Sequence, residues 1–382
     1  MNVREAVETD IDFIVKAYAS AFAFTRNRTV QYIEDIGISS FHIIKQGLEP
    51  AAVFALIETG HWFGGKVIPA CNIAHVAISP EHRGSGLAAS ILDFAGEEAL
   101  RRGADVVSLF ASTRPVYRKS GFELAGSEMI YEAETSELYK IKASFKCRSV
   151  SGESLRPTIG KIYEEHCRDQ NGVLKRHRGH WNVLLRAADE ELSTFVFEAD
   201  GQDVGYIVLD TGDPECLLLR DWVALTGQAA REILKFLGTF STVYPRVRWH
   251  GGPADPLVFA LPDKGWRLVH QEEFLMRVLS PAKALAARGY GHASGSLKIR
   301  IASKTEKQTL LLTVIDGNAA CEEDFAGDAD ITVGLAQLTT LITAFRSAHF
   351  LHKAGWIIGD GEAIKRCNDI FSGPAPWVGE HF

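Results

Sequence analysis

The sequence predicts an α/β (α+β) fold made of consecutive units, on three observations. A hydrophobic run, Ile73-Ala74-His75-Val76-Ala77-Ile78-Ser79, leads through a glycine turn into an amphipathic helix and a second strand, the alternation of a layered sheet-and-helix domain. From about residue 138 the order of strands and helices partly repeats. From Pro281 the character changes to strands joined by an Asp-Gly turn, followed by an apolar helix. The chain therefore divides into 1–138, 139–280 and 281–382. Its 382 residues and 46% hydrophobic content suffice for several cores.

In the first unit, Thr9 is the expected N-cap of a helix whose inner face carries Ile11, Ile14, Val15 and Tyr18. The segment Ala21 to Tyr32 follows, rich in Phe22, Phe24, Arg26 and Arg28. Phe41 to Ile44 and Ala52 to Ile57 read as strands joined through Gln46-Gly47. Gly60-His61-Trp62-Phe63-Gly64-Gly65 reads as a loop. After the run 73–79 a helix places Leu87, Ile91, Leu92, Ala95 and Leu100 inward, with Asp93, Glu97, Glu98, Arg101 and Arg102 largely outward, and Gly103 closes it. Val106 to Phe110 is the next strand.

The second unit has helices at Gly160 to Cys167 and Trp181 to Ala187, then a hairpin turned by Asp200-Gly201. Strand Leu217 to Leu219 and Trp222 to Leu225 precede a helix over Ala229 to Leu237. In the third unit a short helix, Ala282 to Ala287, precedes strands 296–301 and 310–315, the Asp316-Gly317 turn, and a helix from Leu335 to Ala344.

A net charge of -7 argues against nucleic acid or an anionic membrane surface as main partner. Met1 to Glu5 lacks the apolar core of a signal peptide, and no apolar run is long enough to span a bilayer. The six cysteines are scattered, with no C-x-x-C pair, which fits free thiols in a cytoplasmic protein. His166, Cys167, His177 and His180 match no common zinc spacing, and no metal is expected.

The chemistry concentrates at the turn His82-Arg83-Gly84-Ser85-Gly86-Leu87-Ala88. Its glycines let backbone approach a ligand, the first N–H groups of the following helix have no intrahelical partner, and Arg83 adds a planar cationic fork. This is a candidate pyrophosphate cradle, and a plain structural turn is the other reading of the stretch by itself. It is not the P-loop, because no Gly-Lys-Ser/Thr follows, and its glycine spacing is not that of dinucleotide-binding proteins. Farther on stands Tyr117-Arg118-Lys119-Ser120-Gly121-Phe122.

Arg-x-x-Gly-x-Ala after a strand, then helix, strand and Tyr-x-x-x-Gly-Phe, resembles the GNAT superfamily of acetyl-CoA-dependent N-acetyltransferases. The second unit resembles the same fold without its chemistry: Thr226-Gly227-Gln228 stands at the phosphate turn and Leu261 at the tyrosine's position. The third unit resembles a sterol-carrier-protein-like domain, whose usual role is to hold an apolar ligand. Two tandem GNAT-like domains, one active and one degenerate, followed by a sterol-carrier-like domain resemble the enhanced intracellular survival (Eis) family. Its local points here are Pro80 to Leu87, Tyr117 to Phe122, Pro281 to Tyr290 and the aromatic C-terminus.

The resemblance implies an N-acetyltransferase acting on a primary amine, with acetyl-CoA as cosubstrate. Cofactor contacts would come from Val76, Ala77 and Ile78, from Arg83, Gly84, Ser85, Gly86, Leu87, Ala88 and Ala89, and from Ser112 and Thr113. Tyr117 would be the general acid and the α-carboxylate of Phe382 the base. A terminal carboxylate of ordinary pKa is a weak base, unless burial raises it. His75, the only titratable residue of the run 73–79, is therefore the alternative base. Family members acetylate cationic amines, aminoglycosides among them, and assemble as ring-like hexamers, so a homo-oligomer is expected. In a GNAT fold the segment Ala21 to Tyr32 would form one wall of the acceptor groove, and Phe24, Arg26 and Arg28 in it, with His381 as the penultimate residue, stand where acids would be expected for a polyamine. They leave room for a smaller amine, a lysine side chain or an acidic acceptor. The other reading is a sensor that binds acetyl-CoA or an apolar ligand without turnover.

Overall fold

The computed structural model describes residues 2–111, 113–186, 192–302 and 308–382. The first unit runs β1 (Asn2–Glu5), α1 (Ile11–Phe22), α2 (Arg26–Ile36), β2 (Phe41–Gln46), β3 (Glu49–Phe63), β4 (Lys66–Ile78), α3 (Leu87–Arg101), β5 (Val106–Phe110), α4 (Arg114–Lys119) and β6 (Glu123–Glu134). The second runs α5 (Thr135–Tyr139), β7 (Cys147–Ser149), α6 (Leu155–Cys167), α7 (Arg178–Leu185), β8 (Leu192–Ala199), β9 (Gln202–Asp210), β10 (Cys216–Ala224), α8 (Gly227–Gly238), β11 (Arg246–Gly251), α9 (Pro256–Ala260) and β12 (Trp266–Val278). The third comprises α10 (Pro281–Ala287), β13 (Gly295–Ala302), β14 (Gln308–Ile315), β15 (Asn318–Glu323), β16 (Ile331–Gly334), α11 (Leu335–Ile342), α12 (Ala348–Lys353), β17 (Ile357–Gly359) and α13 (Gly361–Ile370).

Twelve strands form one sheet, in the order β1-β2-β3-β4-β5-β12-β6-β11-β10-β9-β8-β7. Its centre is an exchange. β12 leaves its own unit to pair antiparallel with β5, Phe274 opposite Phe110 and Val278 opposite Val106. β6 pairs with β11 of the second unit, Tyr131 opposite Trp249. Each unit thus lends one strand to the other, and β12 against β6 is the seam. The third unit adds a five-stranded sheet, β15-β14-β13-β16-β17. Its core is continuous with the large sheet: Leu297, Leu312 and Leu341 share a buried cluster with Phe63, Val106, Phe274 and Phe382.

Three local expectations are corrected. Thr9 does not cap α1. Asp10 precedes that helix, and its carboxylate is held by Arg4 at 2.6 and 2.7 Å and by the Val7 N–H. Residues 60–63 are strand, because β3 runs on into a hairpin with β4, Gly60 opposite Pro69 and Phe63 opposite Lys66, and the 172–175 segment adds bonds on the other side, Trp62 N–H donating to Val173 and Lys175 N–H to Gly60. On α3, Leu100 is 44% exposed, while Glu98 is buried under a double fork from Arg101 and Arg102. Ser112 and residues 187–191, where the sequence places a cofactor contact and a helix end at Ala187, lie outside the described residues. The Asp200-Gly201 and Asp316-Gly317 turns form as expected, with left-handed backbone at both residues of each. Among the described residues all six cysteines are free, and no helix is long and apolar enough to cross a membrane.

Candidate active site

The groove begins where β4 and β5 part. They pair in parallel only at Ala70–Val106, Cys71–Val107 and Asn72–Ser108. Beyond Asn72, β4 continues to Ile78 without that neighbour. Its register against β3 also shifts there, and His75 takes a φ of 51°, the left-handed conformation of a bulge. Backbone groups of the segment that includes Val76, Ala77 and Ile78 therefore face a widening gap rather than a strand. The Ala77 side chain points into the core, so only its backbone can serve a ligand.

A string of hydrogen bonds fastens the point of divergence. His61 Nδ1 lies 2.6 Å from the Gly172 carbonyl, which can only accept, so Nδ1 carries the proton and Nε2 accepts from Ser108 Oγ at 2.8 Å. Ser108 Oγ in turn accepts from Asn72 Nδ2 at 2.8 Å. Asn72 Oδ1 accepts from His180 Nε2 at 3.2 Å, leaving His180 Nδ1 to accept from the His177 N–H. Every donor in the string has one acceptor, and both histidines are neutral: burial lowers His61 to about 4 and His180 to about 3. The sequence reading set His61 in a loop and His180 among unlikely zinc ligands, and neither carried a signal for this role.

Downstream of β4, α3 opens on Gly86 with φ 85° and no side-chain cap. A Cβ at Gly84 or Gly86 would meet nothing within 4 Å, so the ground before the helix N-terminus is open. The first N–H groups of α3 point there with the positive end of the helix dipole. Arg83 is exposed and its Nε donates to the Ile78 carbonyl at 3.2 Å, which lays the guanidinium along the strand end. Ser85 Oγ donates to the His82 carbonyl. Leu87 is a core side chain and offers only backbone. This arrangement suits a pyrophosphate. At the equivalent turn of the second unit, Thr226 Oγ1 itself accepts from Ala229 N–H at 3.0 Å, so the helix end is already capped.

Tyr117 lies on α4 after β5, half-buried, its ring edge-on to Phe122 at 6.3 Å. Thr113 is exposed at the start of α4. From the other side the C-terminus arrives at the end of β5. The Phe382 ring is 5.1 Å from Phe110 and is buried, and His381 stacks on Phe110 at 4.0 Å. His75 sits under a wall of Tyr18, Phe22, Phe24 and Tyr32, at ring separations of 4.8 to 5.5 Å. Its Nδ1 is buried with no partner among the described residues, and burial lowers its pKa to about 4, with the charges of His381 and Arg28 acting the same way.

The carboxylates expected around the groove come from strands that sequence reasoning did not connect to it. Glu128 of β6 accepts from His381 Nδ1 at 3.1 Å and faces His250 at 3.0 Å, and Glu272 of β12 stands beside them. Burial pushes Glu128 up, but the two histidines outweigh it and hold it at about 2. Burial likewise opposes protonation of His381, and Glu128 and Glu272 outweigh it, so its pKa is raised. The two arginines of the groove segment are occupied: Arg26 pairs with Asp12, and Arg28 lies 3.9 Å over Phe24.

Family models match this layout. Residues 2–125 and 172–278 each match an acetyltransferase (GNAT) domain, and residues 281–379 match a sterol carrier protein domain. An uncharacterized N-acetyltransferase of Streptomyces griseus is 26% identical over 318 residues, covering 76% of each chain. The N-acetyltransferase Eis of Mycobacterium tuberculosis is 25% identical over 346 residues, 82% of this chain and 80% of its own. The crystal structure of a GCN5-related N-acetyltransferase from Anabaena variabilis superposes over 100% of both chains with a TM-score of 0.93 at 25% identity.

Proposed function

We propose a division of labour for this chain, which belongs to the GNAT acetyltransferases and is related to the Eis family. It is an acetyl-CoA-dependent N-acetyltransferase. In the proposal the first unit performs the transfer. The observation that carries it is the uncapped N-terminus of α3 at the mouth of the β4/β5 divergence, with Tyr117 and the chain's own C-terminus flanking the end of β5.

Arg83 and the N–H groups of the α3 turn hold the pyrophosphate, with Thr113 beyond them, and the free backbone of Val76 to Ile78 holds the pantetheine arm. The neutral amine nitrogen attacks the thioester carbonyl carbon. An N–C bond forms, the C–S bond breaks, and the leaving sulfur takes the proton of the Tyr117 hydroxyl. The proton lost by the amine goes to the α-carboxylate of Phe382, directly or through water. Packing of the Phe382 ring against Phe110 supports that role by holding the end of the chain at the groove. The acceptor is a primary amine. Glu128 and Glu272 suit an ammonium-bearing one, of the aminoglycoside or lysine kind. Association of several copies, as a hexamer, is part of the proposal on family resemblance, and sedimentation analysis tests it.

The experiment is thiol release from acetyl-CoA with aminoglycosides, polyamines, lysine peptides and small amino compounds, using a free C-terminus. Release with one class identifies the acceptor. Tyr117→Phe should lower kcat by about 10²-fold or more while acetyl-CoA binding holds. One residue added after Phe382 should lower kcat as well; full activity would pass the base role to His75. Acetyl-CoA binding without release in any class would favour the sensor reading.

A further inference from the structure

The second GNAT-like unit has the fold of an acetyltransferase and a capped helix where the cofactor turn should be. We propose that its role is to be the socket of the C-terminal tail, and that Arg176 is the positioning residue that sets where the tail ends. The proposal rests on the Phe382 base reading only for its effect on turnover.

The tail enters the socket at Pro374, whose carbonyl accepts from Asn171 Nδ2 at 2.9 Å. Trp377 donates from its backbone to the Asn171 carbonyl and from its indole to Gln170 Oε1 at 3.0 Å. On its other side the tail runs alongside β6. Ser127 N–H donates to the Pro376 carbonyl and Val378 N–H donates to that of Ser127. The fit is close. A Cβ on Gly172 would lie 2.7 Å from the Trp377 carbonyl oxygen, and one on Gly252 would lie 2.6 Å from its indole.

The next fastening is ionic. Arg176, only 3% exposed at its side chain, donates to both oxygens of Asp221 at 2.7 and 2.8 Å and from Nε to Glu380. Its guanidinium lies 3.7 Å from the Tyr163 ring and 4.6 Å from that of Trp181, and Tyr206 hydroxyl donates to Asp221. Apart from Glu380, every member of this group belongs to the second unit. A buried ion pair is weak evidence for stability, because desolvation offsets its attraction, and its best-attested use is to fix register. Here the register matters. Phe382 is two positions beyond Glu380, a reach of about 7 Å, so the anchor confines the terminal carboxylate to a small region beside Phe110. Without it, the end of the tail is held only by His381, on Glu128 and Phe110, and by the Phe382 ring.

The test reads the tail directly. A carboxypeptidase that removes C-terminal aromatic residues is applied to the full-length enzyme, and phenylalanine release is timed, which tracks the fraction of molecules with an open tail. Glu380→Ala leaves Arg176 paired with Asp221, so the socket stays folded, as a thermal melt will verify. Release should be faster by about tenfold or more, Glu380→Gln should be intermediate, and Arg176→Lys, which keeps the charge but loses the fork, should also be faster. In Glu380→Ala kcat should fall while KM for acetyl-CoA holds. Unchanged release in both Glu380→Ala and Arg176→Lys overturns the socket. Faster release with unchanged kcat upholds it and removes the terminal carboxylate as base.

Discussion

His75 shows how one residue can be local in sequence and still gain its properties from afar. Its left-handed backbone is set by the bulge of β4, while its burial comes from Tyr18 and Phe22 on α1, Phe24, and Tyr32 on α2. With a folded pKa of about 4 and an ordinary unfolded one near 6.5, the unfolded chain binds more protons between those values. The stability that depends on a neutral His75 is therefore present above the unfolded value and is lost as pH falls through that window, up to about 3 kcal/mol. His61 and His180 have the same sign. Urea midpoints should drop clearly from pH 7 to pH 5, and less so in His75→Leu. Equal drops in both proteins would mean that His75 does not carry that share.

The same contrast of near and far decided what could be read at this scale. Arg83, Gly84, Gly86 and Tyr117 stand within 35 residues of each other in a fixed pattern. Arg176 and Glu380 are 204 residues apart, and an arginine in the basic run Lys175-Arg176-His177-Arg178 gives no hint of a partner at the other end of the chain. Glu128 was hidden likewise: on β6 it is one acid among several, and only the tail's return makes it the acceptor for His381.

At the scale of elements, α3 and α8 are the same helix with opposite beginnings. Gly86 leaves the first turn of α3 bare, and Thr226 seals that of α8. The helices themselves were legible from apolar periodicity, and the expectation that the second unit lacks the chemistry came from Thr226-Gly227-Gln228 standing where the resembled motif has Arg-x-x-Gly-x-Ala. The extension of β3 through His61 was not legible, since Gly60, Gly64 and Gly65 mimic a loop, whereas Gly64-Gly65 turns a hairpin that pairs 60–63 with 66–69 and the 172–175 segment covers its other side. The helix contrast yields a prediction. Gly86→Ala places a Cβ at a φ of 85°, which costs roughly 1–2 kcal/mol of backbone strain or forces the turn to rearrange. Acetyl-CoA affinity measured by calorimetry should weaken by about tenfold. Thr226→Ala, which removes only a cap, should leave that affinity unchanged and lower stability by about 1 kcal/mol. An unaltered affinity in Gly86→Ala would move the pyrophosphate away from this turn.

For the whole molecule, the exchange of β6 and β12 decides what can fold alone. Sequence order divides the chain near 138 and 280, and nothing local reveals that the strand after α9 crosses to the first unit. In space, the first unit ends on β5, and its missing neighbour is β12 from residues 266–278. A chain ending at 138 would therefore expose the edge of β5 and leave β6 with neither β11 nor β12 beside it. It would also lose Phe274, Leu275 and Met276 from the core. An unpaired, apolar strand edge is a template for aggregation, not a stable surface. The fragment 1–138 should accordingly be insoluble or unfolded by circular dichroism, despite holding every cofactor contact in the proposal. Because the seam runs through both units and the tail returns to them, the full chain should melt without a separate early transition for either GNAT-like unit. A folded 1–138 fragment that bound acetyl-CoA would show that the exchange is dispensable. It would also confine the second unit's contribution to the tail.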